Sequence, residues 1–172
     1  RIASHFQEIK EKNTDNAYSN ALQFKMGRII AKPQKWDEDE TNETYSAYTV
    51  VHPNTIMING LNLEFDFVTR RVARVECDGI ITSAYIALRP IRRLNSGFFR
   101  YLLHAYDISK VFYNMGNGVR QGLNFSEFSR LTVFEPPIEI QDKVTQYLDT
   151  ATAEVDKIIS DIQTQIDTLE QY

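Results

Sequence analysis

The stretch Gly116-Asn117-Gly118-Val119-Arg120-Gln121-Gly122 sets two amides and a guanidinium between three glycines, with Asn114 and Asn124 on either side. These side chains are forked hydrogen-bonding groups, not nucleophiles. Asn and Gln offer a donor and an acceptor together, and Arg offers five donors in one plane. Glycine lets the backbone come close to a ligand. The stretch lacks the Lys-Ser/Thr ending of a phosphate-binding loop and the strand-to-helix setting of a dinucleotide fingerprint. Its chemistry is therefore recognition by hydrogen bonding, or the capping of the element that follows. A second group is cationic: Arg70, Arg71 and Arg74, with Lys25, Arg28, Lys32 and Lys35. It is either a phosphate-contacting surface or a solvated strand face. Arg92 and Arg93 precede a helix and suit either role. Tyr48 and Tyr85 read as aromatics at the edge of the core.

Reaction chemistry is thinly represented. His5, His52 and His104 are far apart, with no Cys or carboxylate at metal-ligand spacing. Cys77 is the single cysteine, which excludes an internal disulfide and a cysteine metal cluster. Glu8-Ile9-Lys10 resembles the end of a nuclease carboxylate-lysine motif but has no suitable upstream acid. No Asn/Asp-Pro-Pro-aromatic motif of the amino-methyltransferase kind occurs. The chain is expected to be non-catalytic and to hold no cofactor or metal of its own.

The elements that must position these groups change character along the chain. Residues 15–90 read as β-rich. Tyr45–Val51 and Thr55–Ile58 flank the turn former His52-Pro53-Asn54, Arg71–Val75 alternates, Cys77-Asp78-Gly79 is a turn, and Ile80–Leu88 reads as one strand. Lys35–Glu43 reads as a solvated acidic loop. Ser96–His104 reads as a helix capped by Ser96, with Phe98, Phe99, Leu102 and Leu103 as its packing face. Ile108–Met115 suggests a second short helix, and Leu131–Phe134 a short strand before Pro136-Pro137.

Beyond the prolines, residues 138–172 contain neither Gly nor Pro. Leu148, Val155, Ile162 and Leu169 recur every seven residues, and Ala151 and Ile158 fill the complementary position before it passes to Gln165. Val144, Ile159 and Ile166 extend and widen the stripe, while Asp142, Asp149, Glu154, Asp156, Asp161, Asp167 and Glu170 lie mainly off it. This is a heptad pattern. At about 1.5 Å per residue it describes a rod about 50 Å long. Such a rod is too long to lie wholly on a core of 130-odd residues, which favours a coiled-coil partner over packing on its own domain.

The chain has 172 residues, 42% of them hydrophobic and 24% charged, as in an ordinary soluble domain with an appended element. The net charge of −4 is unevenly spread: residues 1–134 carry a net +3 and residues 135–172 a net −7. The basic excess in the first part is small but of the sign that nucleic-acid contact requires. No apolar run approaches the roughly 18 residues of a membrane span, and no export leader is visible. With one cysteine, a reduced cytoplasmic setting is expected. Because residue 1 is Arg, the sequence reads as a fragment or trimmed form of a longer chain.

Taken in order, four segments resemble those of the type I restriction-modification DNA-specificity subunits. These are Gly79–Pro90, Phe98–Asp107, Gly116–Phe125 and Leu131–Gln141 with its Pro-Pro-x-Glu-x-Gln junction. Each is weak alone; their order and spacing are what resemble the family. The resemblance implies an α+β fold: a β-rich target-recognition domain with a few short helices at 1–135, then a long dimerisation or spacer helix at 136–172. It implies a partner set of double-stranded DNA, methyltransferase subunits binding S-adenosylmethionine, and restriction subunits using ATP and magnesium. It further implies that the domain reads one half of a bipartite site. The family carries two domains and two helices, so a half-sized chain needs a second copy or a second recognition domain through its helix.

On that footing Arg120, Gln121, Asn117, Asn114 and Asn124 are candidates to read base edges, since Arg pairs with guanine and Asn or Gln with adenine. Arg70, Arg71, Arg74, Lys25, Arg28, Lys32 and Lys35 are candidates for phosphate. The competing readings are the specificity end of a fused restriction-methylation enzyme and a coiled-coil interaction module that does not touch DNA.

Overall fold

The structure, a computed structural model, describes residues 1–33, 45–63, 68, 70–115 and 122–169. The chain divides into two compact units, Arg1–Glu135 and Pro136–Tyr172.

The first unit is built on short antiparallel strands. Among the described residues these are β1 (Phe6–Glu8), β2 (Leu22–Lys25), β3 (Arg28–Ala31), β4 (Thr49–Val51), β5 (Ile56–Ile58), β6 (Val72–Arg74), β7 (Gly79–Ile81) and β8 (Ile86–Pro90). A four-stranded sheet runs in the order β1-β8-β5-β6, and β2-β3 and β4-β7 form two separate ribbons. The centre is β5, paired with β6 through Met57↔Ala73 and with β8 through Met57↔Ala87. It consists of Ile56, Met57 and Ile58, all fully buried. A strand covered on both faces has no polar positions, hence its unbroken apolar run. Leu22, Val51, Met57, Val75, Ile81 and Ala87 form one core cluster, with Ile9, Phe24, Ile29 and Tyr85 packed against it.

Helix α1 (Ser96–Ile108) packs against β6. Three of the four residues anticipated for its inner face, Phe98, Phe99 and Leu103, are buried, while Leu102 is half-buried. The cap is Asn95 rather than Ser96: Asn95 is extended and its side chain accepts from the Phe98 amide at 3.0 Å. Ser96 is already helical and buried, so it lies one residue too late to cap. Phe99 sits edge-on to Phe6 and Phe98, at 5.1 and 5.5 Å between centroids, and so ties α1 to β1.

Four boundaries differ from expectation. The strand read at Ile80–Leu88 is two, β7 and β8, which pair in different sheets. In the intervening turn the Ser83 hydroxyl donates to the Ala47 carbonyl at 2.7 Å. Only Thr49–Val51 of Tyr45–Val51 is strand, since Tyr45 and Ser46 are helical. The helix read at Ile108–Met115 is a 3-10 turn, Val111–Asn114, because Lys110 takes a left-handed φ of 61° that ends α1. Leu131–Phe134 is not a strand. The Leu131 and Ser129 carbonyls are instead taken by the Ile2 and Ala3 amides. A four-residue helix, α2 (Phe125–Phe128), had not been anticipated. The acidic loop at Lys35–Glu43 lies outside the described residues.

The second unit is one helix, α3 (Ile138–Leu169), 32 residues long. The Gln141 side chain donates to the Pro136 carbonyl at 2.8 Å and fixes its first turn. Among the described residues no helix is long and apolar enough to cross a membrane.

Phe99→Ala should destabilise the first unit by about 3–5 kcal/mol, since a fully buried ring bridging two elements leaves a cavity on removal. Urea unfolding checks this. A loss within 1 kcal/mol or so would show that the ring does not join α1 to the sheet.

Candidate nucleic-acid interface

The ribbon β2-β3 closes through Met26 and Gly27, whose φ values are 48° and 77°. Two successive positive φ values are the mark of the tight hairpin turn whose twist suits the flanking strands. Lys25 and Arg28 face each other across this turn, and both are exposed. Met26 at the tip is 58% exposed. The ideal Cβ position on Gly27 falls 2.9 Å from Arg70 Cβ, so Arg70 lies directly against the hairpin. Lys25, Arg28 and Arg70 are thus assembled on one surface from segments far apart in the chain. Of these three, Arg70 also acts on α1. His104 there titrates below its ordinary value, chiefly through burial, with Arg70 and Arg100 adding to the effect and Asp107 opposing it.

Lys32 belongs to a different group. Its Nζ lies 3.5 Å from the Tyr48 hydroxyl and 5.9 Å from that ring's centroid. Tyr48 stacks obliquely on Tyr45 at 5.1 Å. Burial, and then Tyr48, raises the pKa of the Tyr85 phenol. Lys12 adds a cation close by, donating to the Ala47 carbonyl at 3.1 Å and to the Ser83 hydroxyl. Sequence reasoning had passed over Lys12 and Ser83. They meet through the isolated bridge Lys12↔Thr49 and through the Thr49 hydroxyl, 3.3 Å from Ser83 Oγ, and no local pattern signals either.

Other candidates are committed elsewhere. Arg71 has no exposed surface, and its guanidinium donates to the carbonyls of Asn59, Leu61 and Asn62 at 3.1, 2.6 and 3.3 Å. It is withdrawn as a phosphate contact, because a cation enclosed this way presents nothing to a ligand. Arg74 pairs with Glu76 at 3.0 Å, so its charge is already partly met within the chain. Asn124 caps α2: its Oδ1 accepts from the Glu127 amide, and Glu127 accepts from the Asn124 amide, both at 3.1 Å. For Asn124 the capping reading of the polar turn applies. Arg92 bonds Glu135 and His5. Asn117, Arg120, Gln121 and Lys35 lie outside the described residues, as does the side chain of Asn114. After that stretch, the Leu123 amide donates to the Gly60 carbonyl at 2.8 Å.

The heptad residues of α3 form a bare stripe over its second half. Val155, Ile158, Ile159, Ile162, Ile166 and Leu169 are all exposed, from 43% at Ile166 to 75% at Leu169. Among the described residues no group of three or more His, Cys, Asp or Glu is placed to hold a metal ion.

The fold resembles part of that of solved HsdS specificity subunits of type I restriction-modification systems. The chain superposes on the HsdS subunit from Thermoanaerobacter tengcongensis with a TM-score of 0.59 and 16% identity, over 91% of its own length and 37% of that chain. A chain from a structure of type I restriction-modification complex assembly and conformational transition gives 0.56 and 17%, over 92% and 38%. The protein thus spans well under half of either relative. No protein-family model and no curated protein matches the sequence.

His5 and His104 both titrate below the ordinary 6.5, burial being the first cause for each; at His5, Glu135 opposes burial while Arg92 and the terminal amine reinforce it. An imidazole with a lowered folded pKa takes its proton more readily when unfolded. The stability it supports is therefore complete above pH 6.5 and declines as pH falls below that value. The melting temperature should drop from about pH 7 to about pH 5, and less steeply in His104→Gln. A melting temperature flat across that window would contradict the assignment.

Proposed function

We propose that this protein is a DNA-reading, non-catalytic specificity component of a type I restriction-modification complex. It binds one half of a bipartite duplex site and docks methyltransferase subunits, with S-adenosylmethionine and ATP chemistry residing in partner subunits. The observation that carries this reading is the fold likeness, which embraces both the β-rich unit and the long helix. The gathering of Lys25, Arg28 and Arg70 supports it, since phosphate contacts fix register on a duplex and come first from such cations. Arg120 and Gln121 are assigned to base edges, and the hairpin cations to the phosphate backbone.

The two roles separate experimentally. The protein, with its methyltransferase subunits, is allowed to select from a pool of duplexes randomised at their centre. Arg120→Ala or Gln121→Ala should relax selection by about 1–3 kcal/mol at one base position. Lys25→Ala with Arg28→Ala should weaken all duplexes alike and reduce the log–log salt slope by about 2. Full selectivity in the Arg120 and Gln121 variants would remove the turn from the reading surface.

The exposed stripe on α3 is assigned to an antiparallel helical partner, a second copy or a second recognition unit. Sedimentation at micromolar concentration should show a dimer that Ile158→Glu with Ile162→Glu dissociates. A strict monomer in the absence of methyltransferase subunits excludes the second copy and leaves the second unit.

A further inference from the structure

We propose that the outward face of the β2-β3 ribbon enters the major groove of the duplex, where Gln23 and Ile30 together read one A·T base pair. The inference rests on the DNA-reading function proposed above.

The ribbon has two faces of opposite character. Its register pairs Lys25 with Arg28, Phe24 with Ile29, Gln23 with Ile30 and Leu22 with Ala31. Side chains alternate along a strand, so directly paired residues share a face and the face switches at every step. Leu22 belongs to the core cluster, and Phe24 and Ile29 pack against it. Those residues define the inward face. The outward face therefore carries Lys25 and Arg28 beside the turn, with Gln23 and Ile30 behind them. Lys25, Arg28 and Ile30 are exposed, and Gln23 is half-buried. Neither Gln23 nor Ile30 is a buried core residue, so replacing them leaves the fold standing.

The shape selects the groove. A two-stranded ribbon fits the major groove, about 12 Å wide, and is too broad for the minor groove, about 6 Å wide. At about 3.4 Å per residue, Gln23 and Ile30 sit about 7 Å behind the two cations. That is close to half the width of the major groove. With Gln23 and Ile30 over the groove floor, Lys25 and Arg28 reach the phosphates of one wall, the role assigned to them above.

The residue types select the base pair. In the major groove adenine presents an acceptor beside a donor, which a forked amide meets with two hydrogen bonds. Thymine presents its C5 methyl group to an apolar side chain. A G·C pair offers neither the adjoining donor and acceptor on one base nor the methyl group. Gln23 supplies the amide and Ile30 the apolar contact. Cross-strand partners have Cβ atoms about 5 Å apart, so the two side chains can share one base pair. Sequence reasoning passed over both, because only the strand pairing sets them side by side.

The assembled complex, with its methyltransferase subunits, selects from the randomised duplex pool. Gln23→Ala should lose about tenfold or more of the preference for A·T at one position, the scale of one misread base. Gln23→Glu should move the preference there to C·G, because a carboxylate accepts from cytosine N4. Loss of packing cannot produce that switch. Each thymine of the enriched duplex is then replaced in turn by uracil, which lacks the methyl group. At the same position the replacement should cost the wild type a few-fold in affinity and Ile30→Ser nothing. Melting temperature and salt slope should stay unchanged in Gln23→Ala and Ile30→Ser. The uracil series on the wild type needs no variant and stands even where a variant does not fold. Unaltered base preference in the folded Gln23 variants, or indifference of the wild type to uracil at every thymine, overturns the inference alone. A wild-type complex that enriches no duplex overturns the DNA-reading function and this inference together.

Discussion

A guanidinium with no exposed surface is the constraint on which the first unit turns. Removing the Arg71 charge from water costs several kcal/mol even after relaxation. That cost is offset only when each donor meets an acceptor in good geometry. Here the acceptors are three successive-loop carbonyls and a phenol, with the Tyr113 ring beneath the cation. Breaking such a site by removing one partner is far more damaging than its net contribution suggests, because an uncompensated buried charge or set of carbonyls is left behind. Four pieces of chain are therefore locked together: the start of β6, the loop after β5, the end of α1 through Asp107, and the 3-10 turn carrying Tyr113.

The surface cations have the opposite requirement. Lys25, Arg28 and Arg70 are exposed, and the value of such cations lies in releasing counterions when a polyanion arrives. The hairpin suits this use. Its turn is tight, its strand pair is short, and Gly27 removes the Cβ that would hold Arg70 away. The charge asymmetry of the chain follows the same division, with the acidic excess confined to the residues from 135 onward. A net charge of −4 conceals this, and only the split by segment restores the basic character of the part that carries the hairpin.

Arg70 and Arg71 are identical in type and adjacent, yet one is exposed and the other fully enclosed. Strand alternation says that they point to opposite sides, but two arginines give no apolar signal to say which side is inward. Asn95 and Ser96 pose the same problem at the start of α1, where either can cap and only the backbone angles decide. Asn124 is one of several amides around a glycine-rich turn, and its capping box with Glu127 becomes visible only once α2 is seen to exist. Lys12 and Ser83 meet through pairing partners distant in sequence, so nothing within a short window reveals them.

What the sequence determined by itself is what depends on nearby residues. The heptad stripe of α3, the β-rich character of residues 15–90, the packing face of Phe98, Phe99 and Leu103, and the α+β class all follow from periodicity that the helix and strand geometries impose locally. The tertiary structure alone decided which strands pair, where Ile80–Leu88 breaks between two sheets, and which arginine faces water. Those outcomes are set by contacts between segments tens of residues apart, whose free energies no single segment contains. The division between Arg70 at the surface and Arg71 in the interior was settled by the loop carbonyls waiting at Asn59, Leu61 and Asn62, not by any property of the two residues themselves.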